Sequence, residues 1–415
     1  MRRAGVGLVM LSLVGACGSS GGRSSEDSDA GASIDPDGGA SLVVRPPPAL
    51  SVHDDSLIHQ AELTMSADDW QSIIDDSQGD TLRHASLTYD GVVVDDVGVH
   101  PSGESSRIPG NQKQSFRVKF DAFGHGKFAG IKEINIKGEY DDHSMMRERL
   151  AYFVFRQMLP TPQAAHVRLV VNGQLRGLYT IREVWDADSI GPHFTQPLGP
   201  LYRVRGAIDT DPYAYLGTAT TAYVPLPWEP HIDKPARSDD VVPALLDVVN
   251  NNPTMLDSVV DVEDLLDFLA AFALVMDTDG FVGDHGVSDH FQYFDPQSGR
   301  FFILPWDPDN TFSSQNEAPD RSITKSFDRN ALSLLVSNTA DLRARYVAKI
   351  RTVMSTVSLA ALQAEADAIY QQIQQAAYED PFKSFSNSDF DWSEGYIKDF
   401  AAQRYTSLQD QTASN

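Results

Sequence analysis

The sequence predicts an α+β fold, with a β-rich first half and a mostly helical second half. Three observations carry this expectation. Asp90-Gly91 and Asn172-Gly173 each sit between alternating apolar runs, the pattern of a two-residue β-hairpin turn. Residues 113–120 alternate strictly. Gln114, Phe116, Val118 and Phe120 face one way, and Lys113, Ser115, Arg117 and Lys119 face the other. Residues 331–408 then read as helix, most regularly in "LAALQAEADAIYQQIQQAA".

The remaining elements follow in order. "SLIHQAELTMS" reads as a strand and "SADDWQSIIDD" as a short helix with Ser66 as its N-cap. Residues 101–111 form a Gly/Ser loop leading into the alternating strand. "DDHSMMRERLAYFVFRQML" is an amphipathic helix capped at Asp142 or Ser144. Its apolar stripe is Met146, Leu150, Phe153 and Val154, with Arg147 and Glu148 off it. Residues 194–237, rich in Pro, Gly and Tyr, show no period and read as an irregular insertion. "VEDLLDFLAAFALVMDTDG" suits a helix in the core of a second lobe. A short strand "DHFQYFD", a turn at "PQSG" and a strand ending in "FFILPWDPDNTF" come next.

Composition excludes some functions. The 415 residues are 41% apolar, enough for a sizeable core, and carry a formal charge of −25. A nucleic-acid binder would want a basic face, so no nucleic-acid partner is expected. The single cysteine, Cys17, allows no disulfide within the chain. Arg2 and Arg3, a short apolar run and "LVGAC" form the pattern of a lipoprotein signal peptide. Cys17 would become the lipidated first residue of the mature chain. That predicts an extracytoplasmic protein whose one membrane contact is this lipid anchor. Residues 18–50, made largely of Gly, Ser, Asp and Pro, read as a disordered tether.

Acidic residues gather in one region: Asp277, Asp279, Asp284, Asp289, Asp307 and Asp309. Asp277 and Asp279 end the apolar helix, and Asp307 and Asp309 end a strand. If helix and strand pack together, their carboxylates meet at one edge of the core. A hard divalent cation wants such oxygen ligands. The Gly/Ser loop and the cations of residues 113–119 form the complementary half, because loop amides and a Lys/Arg row suit a polyphosphate. There is no HExxH zinc spacing, G-x-S-x-G elbow or Walker A loop.

Five segments in order resemble the CotH (spore-coat protein H) kinase-like family: "SGESSR", "KQSFRVKFD", "SMMRERLAYFVFRQM", "VVNGQLRGLYTIREVWD" and "ILPWDPDNTF". The resemblance covers residues 57–312. It implies a two-lobed atypical protein-kinase-like fold and transfer of the ATP γ-phosphoryl group to Ser/Thr of secreted or surface proteins, with Mg²⁺ or Mn²⁺. It implies metal binding by Asp307, supported by Asp309, and orientation of the acceptor hydroxyl by Asp279. Lys113, Arg117 and Lys119 would contact phosphates, with Glu148 pairing one of these cations. Glu183 would sit in the hinge beside the nucleotide. Two positions depart from the family pattern. Ser102 stands where the family has Arg before Gly-x-Ser-Ser. The family's Asn after the catalytic aspartate is replaced by Asp289 or His290, and Asp284 has the kinase spacing for a second metal ligand.

The expected organisation is a signal peptide at 1–17, a linker at 18–50, an N-lobe at 51–186 and a C-lobe at 187–415. The leading function is a secreted protein Ser/Thr kinase. A non-catalytic, pseudokinase-type surface-binding or adhesion module and a glycoside hydrolase with paired carboxylates are the alternatives.

Overall fold

A computed structural model describes residues 51–413, apart from 76–78, 104–106, 125, 208, 233–234, 285 and 314–316. Cys17, the signal peptide, the tether and part of the Gly/Ser loop lie outside the described residues.

The first half closes into a barrel. Its strands are β1 (Ile58–Thr64), β2 (Arg83–Tyr89), β3 (Val92–Pro101), β4 (Phe116–Lys119), β5 (Glu133–Lys137), β6 (Ala164–Val171) and β7 (Gln174–Arg182). They are ordered β1-β2-β3-β4-β5-β7-β6, and β6 returns to pair in parallel with β1. Both expected hairpin turns are present, with positive φ at Asp90 and Gly91 and at Asn172 and Gly173. Such φ values suit the two-residue turn that matches strand twist. Leu87, Val97, Val118, Ile134, Ile136, Val167 and Ile181 fill the interior. Helix α1 (Ala67–Asp75) adds Trp70, Ile73 and Ile74 to this core, and Ser66 Oγ accepts the Asp69 N–H at its start.

The second half has a four-stranded sheet in the order β11-β10-β8-β9. These strands are β8 (Leu201–Val204), β9 (Trp228–Pro230), β10 (His290–Asp295) and β11 (Arg300–Pro305). Thus the stretch expected to be an irregular insertion contributes β8 and β9. They are four and three residues long, too short to show a period; β8 gains its order by pairing with β10, and β9 by pairing with β8.

Around this sheet lie α3 (Ala187–Ile190), α4 (Val241–Asn251), α5 (Val262–Val275), α6 (Ala331–Asn338), α7 (Ala340–Thr356), α8 (Leu359–Tyr378) and α9 (Asn387–Ala413). Helix α5 is apolar nearly all round and is the centre of the second core. The helix expected near Asp142, α2 (Arg147–Phe155), joins that core, but it is not the amphipathic helix expected: Arg147 and Glu148 are buried along with Leu150 and Val154, while Phe153 is half-buried. Phe155 packs on Phe268 of α5 with ring centroids 5.7 Å apart. The N-cap position of α2 is Met146, not Asp142 or Ser144, but the Asp142 carboxylate accepts the N–H groups of Met146 and Arg147 from the preceding turn.

A second link ties the halves. Asp380, just after α8, is buried against the barrel and accepts the Leu178 N–H (2.9 Å) and Lys113 Nζ (2.8 Å). Lys113 also donates to Leu178 O and lies 3.8 Å from the Tyr179 ring centroid. A Cβ on Gly177 would come within 2.1 Å of the Asp380 carboxylate, and Gly177 sits at φ +113°. Only glycine fits that approach.

Removing one member of this pair leaves a buried charge. Lys113→Met should therefore lower unfolding free energy by about 3–5 kcal/mol, and Gly177→Ala should also destabilise. Chemical denaturation of each variant checks both. A Lys113→Met variant as stable as the parent contradicts this role.

Candidate functional site

Strand register builds one side of the site. His100 is opposite Arg117, Arg117 opposite Asn135, and Asn135 opposite Arg182. Residues opposite each other share a sheet face, as do residues two apart along a strand. The barrel's outer face on β4, β5 and β7 therefore carries Arg117, Lys119, Glu133, Lys137 and Arg182. Phe116, Val118, Ile134, Ile136 and Ile181 alternate with them into the core. Helix α2 adds Glu148 beside this face.

The second half supplies the acids. The loop after β11 is tied to the end of α5: Phe312 N–H donates to Val275 O (3.0 Å) and Thr278 N–H to Asn310 O (3.2 Å). The helix end and strand end do meet, as the sequence pattern suggests. Met276, Asp289, Asp307 and Phe312 all adopt left-handed backbone there, with φ of 46–57°. Such a concentration of non-glycine residues at positive φ is typical of functional sites.

The two sides join through one ionic network. Lys137 Nζ lies 2.6 Å from Asp307 Oδ1, 2.7 Å from Asp309 Oδ2 and 3.1 Å from Glu148 Oε2. Arg182 bonds Glu148 at 2.9 Å and Asp307 at 2.6 Å and 3.1 Å, its guanidinium 4.1 Å from the Trp306 ring centroid. The Asp307 N–H donates to Tyr152 OH of α2. Glu148 is buried, whereas the side chains of Asp307 and Asp309 are 23% and 34% exposed. The two aspartates can be reached from solvent.

The electrostatics follow from these neighbours. Burial pushes the Asp307 carboxyl up, but Arg182 and Lys137 outweigh it and hold the acid below the usual carboxylate range. Asp309 is pushed up to about 6 by burial, opposed by Lys137 and reinforced by Asp307. Lys137 stays charged despite its burial because Asp307, Asp309 and Glu148 surround it. Asp277 and Asp289 are both raised, first by burial and then by neighbouring carboxylates: Asp279, Asp289 and Asp309 for Asp277, and Asp307, Asp279 and Asp309 for Asp289. These acids feel one another across the site. Arg203 of β8 lies 3.4 Å from Asp289.

Each expected residue has a definite place. Asp307, Asp309 and Glu148 stand together. Asp279 is partly exposed beside buried Asp277, whose carboxylate accepts its N–H. Arg117 and Lys119 lie on the outer barrel face and pair with Glu133 at 2.8 Å and 3.6 Å. Two positions are corrected. Lys113 lies outside the strand, 3% exposed and committed to Asp380, so it does not join the cationic face. Asp284 does not join Asp307 and Asp309 as a ligand pair. Arg321 holds it at 2.6 Å and 3.2 Å, and Ser326 Oγ donates to it at 2.6 Å. Asp289, from the segment replacing the family Asn, is the residue that comes near Asp307.

Lys137 and Arg182 were not singled out in the sequence. Both end strands just before the pattern breaks, the same signal that marks Asp307. An all-oxygen group of carboxylates open to solvent fits a hard divalent cation. As they now sit, no three His, Cys, Asp or Glu side chains among the described residues are close enough together to hold one.

Glu183 follows β7, its carboxylate accepting the Gln163 N–H, and burial raises its pKa to about 7. The folded state thus binds this proton more tightly than the unfolded chain. Its stabilising effect is full below the ordinary carboxylate range and is lost as pH rises through about 7. Glu183→Gln should be more stable than the parent at pH 8, by roughly 1–3 kcal/mol, with little difference at pH 4. Thermal melts at both pH values check this, and an equal gap at both would contradict it.

Residues 99–408 match the family described as CotH kinase protein. Inner spore coat protein H of Bacillus subtilis (strain 168) is 23% identical over 316 residues, covering 74% of this chain and 84% of that protein. Inner spore coat protein H-like protein of the same organism is 33% identical over 93 residues, 22% of this chain and 29% of that one. Among solved structures, the Helicobacter pylori proinflammatory kinase CtkA aligns over 72% of this chain and 93% of its own, with 10% identity and a TM-score of 0.34. A match running from the third barrel strand into the last helix places the chain in the CotH kinase protein family.

Proposed function

We propose that this chain is a secreted, lipid-anchored protein kinase that uses ATP and Mg²⁺ or Mn²⁺ to phosphorylate Ser or Thr hydroxyls of extracytoplasmic proteins. The observation that supports the reading most is the meeting of two opposite half-sites. Solvent-open Asp307 and Asp309, with Asp289 and Asp279 nearby, meet Lys137 and Arg182 of the barrel, and Arg203 of β8 reaches Asp289. Family membership gives the nucleotide its place in the proposal.

Asp307 and Asp309 would hold the divalent cation, whose charge would offset that of phosphate oxygens. Arg117, Arg182 and Arg203 present guanidinium groups suited to phosphate. Glu148 fixes Lys137 and Arg182 so that they need not reorganise when charge develops. Asp279 orients the acceptor hydroxyl and accepts its proton. The hydroxyl oxygen attacks the γ-phosphorus, the bond to the β–γ bridging oxygen breaks, and ADP leaves. Positioning and charge neutralisation carry the rate, since no covalent enzyme intermediate is needed. Glu183 to Asp186 would border the nucleotide base, with Trp185 locked in place by donating to Pro305 O at 2.9 Å.

Incubation of the purified protein with γ-labelled ATP, Mn²⁺ and a generic basic protein tests the reading. Asp307→Asn should lower transfer about 100-fold or more, and Asp279→Asn should lower it by a similar order. Asp284→Asn should stay within a few-fold of the parent, because Arg321 and not the proposed metal occupies Asp284. No transfer together with intact metal-dependent nucleotide binding would favour the pseudokinase-type binding module. Label on a sugar acceptor would move the substrate class. Transfer unaffected by Asp307→Asn would discard the proposed site.

A further inference from the structure

The ammonium of Lys137 occupies the point where the two exposed acids converge. It lies 2.6 Å from Asp307 and 2.7 Å from Asp309, while its third and longest ion pair runs inward to Glu148 at 3.1 Å. The two aspartates are partly open to solvent, and Glu148 is 1% exposed. The inner partner is incompletely used. Glu148 Oε2 is buried and receives no properly oriented hydrogen bond, although Lys137 is its close neighbour. Glu148 Oε1, in contrast, is taken by Arg182.

We infer that Lys137 is an exchangeable internal counter-ion. In the metal-free protein it neutralises Asp307 and Asp309. It swings inward to complete Glu148 when a divalent cation takes the two acids. This deepens the proposed kinase reading and rests on it.

The charges explain why two positions exist. Glu148, Asp307 and Asp309 are three carboxylates, and Lys137 and Arg182 are two cations. Without Lys137 on the outer pair, two adjacent carboxylates would face each other with only Arg182 on one of them. Repulsion of that kind is costly in a partly buried site. A divalent cation between the same two acids would sit beside the ammonium now 2.6–2.7 Å from them, and like-charge repulsion drives Lys137 away as the cation arrives. Glu148 gives it a charged acceptor a short distance inward, on rigid helix α2. Gly138 follows Lys137 directly, and a Cβ there would meet Lys113 O at 1.9 Å. The backbone is therefore fixed, and the movement belongs to the lysine side chain. Arg182 keeps bridging Glu148 to Asp307 throughout. The site stays neutral enough to fold without metal and pays for it in metal affinity. Only the fraction of molecules with Lys137 turned inward binds.

The test measures metal binding and lysine position on the full chain without nucleotide. Mn²⁺ affinity is read from the EPR signal of free ion for the parent, Lys137→Met and Glu148→Gln. Lysine labelled with ¹³C at Cε is followed by NMR during Mg²⁺ titration, with Lys137→Arg assigning the signal. Lys137→Met should bind Mn²⁺ about tenfold tighter or more, since the competing state is removed. Glu148→Gln should bind it more weakly, because Lys137 loses its inner seat. The Lys137 signal should move with Mg²⁺ at the same midpoint as metal binding. A Lys137→Met variant that binds no tighter overturns the inference, as does a Lys137 signal that stays still while metal binds. In either outcome the metal-dependent kinase reading stands. No Mn²⁺ binding by any of the three proteins overturns that reading as well. Binding gained only in Lys137→Met supports the exchange in its strongest form. Should Lys137→Met prove unfolded by circular dichroism, the Glu148→Gln affinity and the parent's lysine signal decide.

Discussion

The contact on which the site depends is the bridge from Lys137 and Arg182 to Glu148 and Asp307. Lys137 and Arg182 belong to the barrel, Glu148 to a helix packed in the second core, and Asp307 to the loop after the last strand. Four separate pieces of chain meet at these groups: the ends of β5 and β7, helix α2 and the loop after β11. A network of this kind is a doubtful source of net stability, because removing charges from water costs as much as pairing returns. Its value lies in geometry. Each cation touches at least two carboxylates, so moving any one element breaks more than one pair. The left-handed backbone at Asp307 and Phe312 is held in the same way, by bonds to Tyr152 and Val275.

The second tie, Lys113 to Asp380, serves a different end. It is dry, and one of its acceptors is a barrel carbonyl. It pins the turn after α8 onto the barrel at Gly177, where no side chain would fit. The two halves are thus joined twice, once by a solvent-open ionic network and once by a buried strut. The open one can exchange partners with a ligand, and the buried one cannot. That difference in exposure is what separates a functional cation from a structural one here.

Much of this was legible. Both hairpin turns, the α5 helix, the cap at Ser66 and the helical tail follow from local pattern. The acids at the ends of α5 and β11 were legible as a pair of element ends. Beta-strands β8 and β9 were not, because three or four residues carry no period and gain their order from pairing. Lys113 departs from its strand pattern for a related reason. Strict alternation over residues 113–120 implied one continuous strand, but pairing begins at Phe116, so the parity rule does not reach Lys113. Asp284 had the right spacing from Asp279 and was nevertheless captured by Arg321, 37 residues later in the chain.

By itself the sequence determined the alternation of core and outer positions along the paired strands and where the chain turns, since periodicity and turn chemistry act over a few neighbours; it did not determine the burial of Lys113 or Glu148. It also determined the family, through motifs kept in order along the chain. The tertiary structure alone decided which cation meets which acid. Lys137 reaches Asp307 across 170 positions and Arg182 does so across 125. Such pairs are fixed by barrel register and by the packing of α2 on α5, and no local pattern encodes either.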